Sequence, residues 1–183
     1  AGEQETVEQI AVVSRPALWS CETPDLYYVK TEILSGGSVK DTYITAFGFR
    51  YIKYEASTGF SLNGQNMKLK GVCMHHDQGA LGAAAYRDAI YRQVRMLKEM
   101  GCNAIRTAHN TPADALLDAC NELGMMVMDE TYDGWAFGKN ENTQDFNTHF
   151  NQTIGSGISL YWNPTFTAIK TILPLLCGIS ATS

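Results

Sequence analysis

Short apolar segments typical of strands alternate with amphipathic segments typical of helices between residues 67 and 129. The predicted strands are residues 67–73, 103–106 and 125–129. Strand, helix, strand, helix, strand is the pattern of parallel βαβ units, whose strands are buried on both faces. The short connections between these elements suit either a barrel or a doubly wound sheet. We therefore predict an α/β fold for this part of the chain.

Two amphipathic helices are predicted between these strands. The first has an apolar stripe at three- and four-residue steps, formed by Tyr86, Ile90, Val94, Leu97 and Met100. We expect Gly101 to end this helix, and Gly124 to end the second. For the second helix we predict Thr111 as the N-cap and Pro112 as the first helical residue.

Polar and aromatic side chains follow each predicted strand. They are His75, His76 and Asp77 after the first strand, Arg106, His109 and Asn110 after the second, and Asp129, Glu130, Asp133 and Trp135 after the third. The carboxyl ends of parallel strands share one face, and barrel enzymes build their active sites there. No G-x-G-x-x-G segment follows a strand, which disfavours a nucleotide-binding site. The pattern predicts a functional site at this face.

Residues 1–64 have the pattern of antiparallel β-structure. Three runs rich in β-branched and aromatic residues, at 25–34, 41–50 and 51–55, are separated by turn residues. Asn63-Gly64 is a strong hairpin signal. We predict that residues 1–64 are the C-terminal part of an immunoglobulin-like β-sandwich, and that residues 65–150 form a second domain.

The remaining segment, residues 151–183, has a different composition. Lys170 is its single charged side chain, and Pro164 and Pro174 interrupt any long element. We expect an atypical tail without an assigned structure. A complete small α/β domain of another class, such as an isomerase, would need further parallel strands from this tail, which the two prolines disfavour. No apolar run approaches the roughly 20 residues of a membrane helix, and we expect no membrane partner.

Charge and cysteine content disfavour three classes of protein: nucleic-acid-binding proteins, disulfide-stabilised proteins and zinc proteins. The net charge of −5 over 183 residues gives no support to nucleic-acid binding, which favours basic patches. Five cysteines without C-x-x-C spacing argue against a disulfide framework and a zinc site. We expect Cys73, Cys102 and Cys120 to be small core residues.

The first residues bear on cellular location. Residues 1–8 are acidic and polar, without the basic start and apolar run of a secretion signal. The chain also begins with Ala1 in place of Met. We expect it to start within a longer protein, and the location of that protein stays open.

Several motifs, in order, resemble glycoside hydrolase family 2 enzymes of the β-galactosidase type. They are Leu18-Trp19-Ser20 with Thr23-Pro24-Asp25-Leu26-Tyr27, Phe47-Gly48-Phe49-Arg50, the passage 60–77, and Asn103-Ala-Ile-Arg-Thr-Ala-His109 with the strand at 125–129. The last is similar to the family pattern Asn-x-x-Arg-small-small-His. The resemblance covers residues 15–136. It implies β-sandwich domains followed by a (β/α)8 TIM barrel, of which residues 65–150 would be the N-terminal part.

The resemblance also implies a retaining β-glycosidase with two catalytic glutamates on later barrel strands. The first glutamate normally follows an Asn. Asn121-Glu122 lies on the second predicted helix and Asn140-Glu141 in a polar loop, so we assign no catalytic residue. The 118 positions from residue 66 to 183 also fall short of the roughly 250 of a complete barrel. We expect an inactive, self-associating fragment; a truncated or frameshifted sugar-binding remnant is the alternative.

For the site, the resemblance implies contacts with a β-galactoside. His75 and His109 would contact sugar hydroxyls, Arg106 would brace the site, and Asn110 and Trp135 are weaker candidates, Trp135 as an apolar platform. His76 is as readily a core residue, and Asp77 a loop cap. Metal binding by His75 and His76 is disfavoured because adjacent residues at a strand end point to opposite sides. We expect no cofactor and no metal.

Overall fold

The computed structural model describes residues 6–130 of the chain. The strands are β1 (Tyr27–Ser35), β2 (Ser38–Phe47), β3 (Ile52–Glu55), β4 (Gly59–Leu62), β5 (Gln65–Asn66), β6 (Gly71–Met74), β7 (Ala104–Thr107) and β8 (Met126–Met128). The helices are α1 (Arg87–Glu99) and α2 (Asp114–Leu123), with a short 3-10 turn at Gly79–Leu81. The predicted tail at 151–183 lies outside the described residues.

The first antiparallel unit is a long two-stranded ribbon. β1 pairs with β2 from Tyr27 opposite Phe47 to Ser35 opposite Ser38. Gly36 and Gly37 form the turn with φ of 58° and 77°, which glycine adopts without strain. The predicted strands and turn are confirmed, although β2 begins earlier than residue 41 and ends at Phe47.

The second antiparallel unit is a three-stranded sheet in the order β3-β4-β5. Asn63 and Gly64 connect β4 to β5 with φ of 52° and 79°. Positive φ at both positions is the geometry of a two-residue hairpin turn, so the predicted hairpin is confirmed. Phe60 and Leu62 of β4 are buried against Trp19.

The third unit is a parallel sheet in the order β6-β7-β8, with α1 and α2 as its crossover connections. Val72 lies opposite Ile105, which lies opposite Val127. Ile105 and Val127 pack on the helices in a core that also contains Ile90, Val94, Leu116 and Cys120. The predicted βαβαβ order is confirmed. The first strand is shorter than predicted, since residues 67–70 precede β6.

Helix α1 buries the middle of its predicted stripe. Ile90 and Val94 are buried and Leu97 is half-buried, whereas Tyr86 and Met100, at the two ends, are 62% and 72% exposed. Gly101 follows with φ of 88°, and its N–H donates to the Lys98 carbonyl oxygen at 2.9 Å. The prediction that glycine ends α1 is therefore confirmed.

The predicted start of the second helix is wrong. Helix α2 begins at Asp114, its N-cap residue is Ala113, and no side chain caps it. Pro112 is buried in the preceding loop and Thr111 is exposed. Pro112 borders the same cavity as Ala108 and Leu116, so tertiary packing of this loop overrides the local capping preference. The end of α2 is as predicted, because Gly124 is left-handed with φ of 74°.

The cysteines differ in burial. Cys120 is fully buried in the helix-facing core and Cys102 is half-buried, but Cys73 is exposed, so its prediction as a core residue is wrong. Cys73 pairs in register with Arg106, which places it on the sheet face opposite Ile105 and the helices.

The segment before β1 is tied to the base of the parallel sheet. The Trp19 indole Nε1 donates to the Asn121 carbonyl oxygen at 2.8 Å, and the Arg50 guanidinium stacks on the indole ring at 5.1 Å. The Lys98 ammonium donates to the carbonyl oxygens of Cys21 and Gly124. These contacts orient the parallel sheet relative to residues 19–21. Neither described α-helix, 13 and 10 residues long, meets the length needed to cross a membrane.

Candidate functional site

The candidate site lies where the three parallel strands end. Cys73, Arg106 and Met128 occupy one row of the sheet, each opposite the next. The residues that follow this row along each strand are therefore brought to a common edge. His75, His109 and Glu130 come together there, from three separate strands.

Arg106 and Glu130 form a bidentate ion pair at the centre of this edge. The Arg106 Nε lies 2.7 Å from Glu130 Oε1, and Arg106 Nη2 lies 3.0 Å from Oε2. The two side chains are 35% and 26% exposed. The third side of the guanidinium faces Cys73, whose Sγ is 3.3 Å from Nη1. Hydrogen bonds to Cys73 and to Glu130 raise the pKa of Arg106, so the guanidinium stays charged.

His109 joins the same cluster. Its Nδ1 lies 3.2 Å from Arg106 Nη2 and 3.3 Å from Glu130 Oε2, so one ring nitrogen is held by the ion pair. The peptide bond between Ala108 and His109 is cis. The exposed His75 ring stands edge-on to the His109 ring, with 5.5 Å between the centroids. Two imidazoles are thus presented side by side, with one of them oriented by charged neighbours.

Glu130 lies at the centre of the contacts in this site. In the sequence it is one of an acidic pair after the third strand, for which a hydrogen-bonding or structural role is favoured over that of a glycosidase acid pair. The structure makes it the common partner of Arg106 and His109. The signal that identifies it is the parallel register, because a carboxylate just past the end of one strand faces a cation at the end of its neighbour.

The loop after β6 contains His76 and Asp77, and both are exposed. The Asp77 carboxylate accepts a hydrogen bond from the Gly79 N–H at 2.8 Å, which is the loop-capping role left open by the sequence. His76 and His75 border a cavity of about 40 Å³ with mainly apolar walls that include Ile90 and Leu116. Such a cavity holds a few water molecules but not a sugar ring.

Two further predicted site residues, Asn110 and Asp129, lie within the described part of the chain. Asn110 follows His109 and is exposed. Asp129 is half-buried, and its Oδ1 lies 3.3 Å from the Thr107 hydroxyl. Trp135 and Asp133 lie outside the described residues. Within residues 6–130, no group of three or more His, Cys, Asp or Glu side chains is arranged to hold a metal ion.

The first residue of the Asn-x-x-Arg motif has a structural place. The Asn103 Oδ1 accepts from the Lys70 N–H at 2.8 Å, and its Nδ2 donates to the Lys68 carbonyl oxygen at 2.9 Å. These two bonds fasten the chain before β6 to the start of β7. The register of β6 and β7 that follows this junction places Cys73 opposite Arg106.

Comparison with known families accounts for this arrangement. Residues 55–159, more than half of the chain, match the model described as glycosyl hydrolases family 2, TIM barrel domain, and residues 1–50 match the model described as glycosyl hydrolases family 2. The chain belongs to glycosyl hydrolase family 2. Its parallel sheet lies within the TIM barrel match, which also includes β4 and β5, whereas β1 and β2 lie within the other family 2 match.

Individual relatives support the family 2 assignment. The chain is 44% identical over 152 residues to the β-galactosidase BoGH2A of Bacteroides ovatus, a match that covers 83% of this chain and 18% of that protein. It is 48% identical over 123 residues to a putative β-glucuronidase of Formosa agariphila, covering 67% of this chain and 12% of that protein. This family 2 chain spans less than a fifth of the length of either relative.

Solved structures have the same fold. A family 2 member from Bacteroides cellulosilyticus is 44% identical and superimposes with a TM-score of 0.69 over 75% of this chain and 17% of that one. A β-glycosidase from Bacteroides vulgatus is 36% identical, with a TM-score of 0.70 over 76% of this chain and 18% of that one. The sequence-based resemblance to family 2 and the predicted partial sandwich and partial barrel are thus confirmed.

Proposed function

We propose that this chain supplies the first part of the sugar-binding face of a retaining family 2 glycosidase that acts on terminal β-galactosides. The observation that carries the proposal is the cluster of Arg106, Glu130 and His109, with His75 beside it, at the carboxyl ends of three adjacent strands. Barrel enzymes bind substrate at this end of the sheet. We also propose that the sandwich part of the chain ends at residue 64 and that the barrel part comprises residues 65–150.

The chemistry of the cluster suits hydroxyl groups. One nitrogen of the His109 ring is engaged by Arg106 and Glu130, which leaves the ring oriented by charged neighbours. An imidazole that is oriented in this way can exchange hydrogen bonds with sugar hydroxyls. The exposed His75 ring offers a second such contact next to it. Arg106 acts behind them by holding His109 and Glu130 in place.

The charge of the cluster favours a neutral sugar over a uronic acid. A glucuronide carries a carboxylate, and carboxylates are recognised by a cation that is available to them. The Arg106 guanidinium is engaged by both oxygens of Glu130 and faces the Cys73 thiol. Its charge is therefore matched within the protein. This supports a β-galactoside, as for the relative named a β-galactosidase, over a β-glucuronide, as for the relative named a putative β-glucuronidase.

We also propose that neither catalytic glutamate is present in these 183 residues. Retaining hydrolysis needs two carboxylates on either side of the glycosidic bond. Glu122 lies on the outer helix α2, 3.4 Å from Arg87, and Glu130 is engaged by Arg106. Neither carboxylate is placed to flank a bond at the site. The chain would then bind sugar without cleaving it.

Ligand-observed NMR on the purified 183-residue chain tests the binding proposal. Saturation transfer is measured to methyl β-galactoside and, separately, to methyl β-glucuronide. The tested variant is Arg106→Met, and the matched control is Arg92→Met, which removes an exposed arginine from α1. We expect transfer to the galactoside in the wild type and in the control, and binding weaker by about tenfold in Arg106→Met.

Three results would count against the proposal. Absence of transfer to the galactoside in the wild type, or equal transfer in Arg106→Met, would contradict a sugar site at this cluster. Stronger transfer to the glucuronide would retain the site but overturn the β-galactoside assignment.

A further inference from the structure

The buried hydroxyl of Thr107 lies next to the candidate site, one residue after Arg106 on β7. Thr107 is 3% exposed. We infer that Thr107 is a positioning residue that fixes Glu130 in the place where it can hold Arg106 and His109. This inference rests on the proposed function and deepens it, because it names what supports the sugar-facing cluster.

The hydroxyl of Thr107 contacts the chain just after β8 at two points. Its Oγ1 accepts a hydrogen bond from the Glu130 N–H at 2.9 Å. Its own proton has two acceptors within reach, Asp129 Oδ1 at 3.3 Å and the Met128 carbonyl oxygen at 3.5 Å. A hydroxyl donates once and accepts through its lone pairs, so both roles can be filled at once. Thr107 thus clamps the turn that leads from β8 to Glu130.

The Thr107 hydrogen bonds lie beyond the end of the β7–β8 pairing, where ladder hydrogen bonds no longer fix the backbone. The ladder between β7 and β8 ends with Arg106 opposite Met128, and Glu130 lies two residues beyond it. Ladder hydrogen bonds therefore do not set the position of the Glu130 backbone. The Arg106–Glu130 fork needs two oxygens at hydrogen-bonding distance from two nitrogens of one rigid plane. A small rotation of the Glu130 backbone would break at least one of these contacts.

Arg106 and Thr107, neighbours on β7, therefore bind the carboxylate and the backbone N–H of the same residue, Glu130. Successive side chains on a strand point to opposite faces of the sheet, so Arg106 and Thr107 cannot both reach the same atom. Arg106 engages the carboxylate from one side. Thr107 engages the backbone N–H from the other. The pair explains how a glutamate outside any strand is held in a defined orientation.

The experiment replaces Thr107 by a residue of similar shape that lacks the hydroxyl. Thr107→Val is nearly isosteric, Thr107→Ser restores the hydroxyl, and Thr45→Val makes the same change at a buried threonine on β2. Hydrogen exchange of the Arg106 Nε–H is measured by NMR in the 183-residue chain, with Arg106→Lys used to assign the resonance. Urea unfolding of each variant checks that the chain remains folded.

We expect the Arg106 Nε–H to exchange about tenfold faster or more in Thr107→Val, because a charge-assisted bond to Glu130 is lost. The rate should stay close to wild type in Thr107→Ser and in Thr45→Val. If valine at position 107 prevents folding, Thr107→Ala gives the same comparison without the branched methyl groups.

The inference is overturned if hydroxyl-free variants at position 107 keep wild-type exchange of the Arg106 Nε–H, or if Thr45→Val accelerates it equally. The readout contains no sugar. Failure of the β-galactoside proposal would leave the exchange result unchanged, so the two failures can be told apart.

Discussion

Gly124, the residue that ends α2, lies directly against the backbone of Cys21, which precedes β1. A Cβ built on Gly124 would overlap the carbonyl carbon and oxygen of Cys21. The same carbonyl oxygen accepts from the Lys98 ammonium. One short segment thus links the antiparallel part of the chain to both barrel helices, through a contact that only glycine permits.

Gly124→Ala should destabilise the chain more than a comparable substitution without the contact. Gly101→Ala is the control, because Gly101 has φ of 88° but no neighbouring atom within 4 Å of the position that a Cβ would take. Both changes carry the cost of a left-handed alanine, about 1–2 kcal/mol. We expect Gly124→Ala to lose at least about 1 kcal/mol more in the free energy of unfolding, measured by urea denaturation. Equal losses would mean that the Cys21 contact contributes nothing.

Asp118 on α2 provides a test of pH dependence. Burial, and after it the charge of Glu122, raises the pKa of Asp118 above its ordinary value of 3.8. A folded-state pKa above the unfolded one means that the folded chain binds the proton more tightly. The ionised form is therefore penalised on folding, and stability falls as the pH rises through the two pKa values.

Asp118→Asn should remove this penalty. We expect a small rise in Tm at neutral pH that disappears as the pH falls toward 3.8. The control is Asp88→Asn, because Asp88 lies in the first turn of α1, where a negative charge is favourable. A gain for Asp118→Asn that is independent of pH would contradict the electrostatic explanation.

Thiol labelling should distinguish the cysteines by position. Cys73 is exposed, whereas burial raises the pKa of Cys120 to about 12 and also raises that of Cys21. We expect a thiol reagent to modify Cys73 first and Cys120 only after unfolding, as read by peptide mass spectrometry. A β-galactoside should slow the reaction of Cys73, because its sulfur lies 3.3 Å from Arg106. Equal rates at Cys73 and Cys120 would contradict the described packing.

Self-association is expected from the open sheet. Within residues 6–130, β6 and β8 each pair with a single neighbour, so the outer edge of each strand lacks a strand partner there. Such edges pair readily with other chains. We expect the sedimentation coefficient of the 183-residue chain to rise with concentration. A value that stays at that of a monomer over the same range would contradict this expectation.

Local rules predicted much of the fold because they depend on residues close in sequence. Glycine ends both helices, at Gly101 and Gly124, and the Asn63-Gly64 hairpin forms where it was expected. Apolar periodicity identified the strands and helices of the βαβαβ unit. These features depend only on local backbone preferences and on the spacing of apolar residues, and both can be read from a single sequence.

The errors arise where packing between residues distant in sequence overrides a local preference. Thr111 is a good capping residue, but the loop continues through the buried Pro112, and α2 begins at Asp114 without a side-chain cap. Cys73 lies in an apolar run, yet strand alternation places it on the face away from the helices. Glu130 and Arg106 are 24 residues apart, and only the register of β7 and β8 shows that they meet.

In the proposed function, this chain contributes sugar-binding residues of a family 2 glycosidase but not the pair of glutamates that cleaves the bond. The most direct measurement is release of nitrophenol from p-nitrophenyl β-galactoside by the purified 183-residue chain, with Glu130→Gln as the comparison variant. We predict no release above the buffer rate for either protein. Release by the wild type that is abolished in Glu130→Gln would contradict it, because a glutamate assigned here to bracing would then be catalytic.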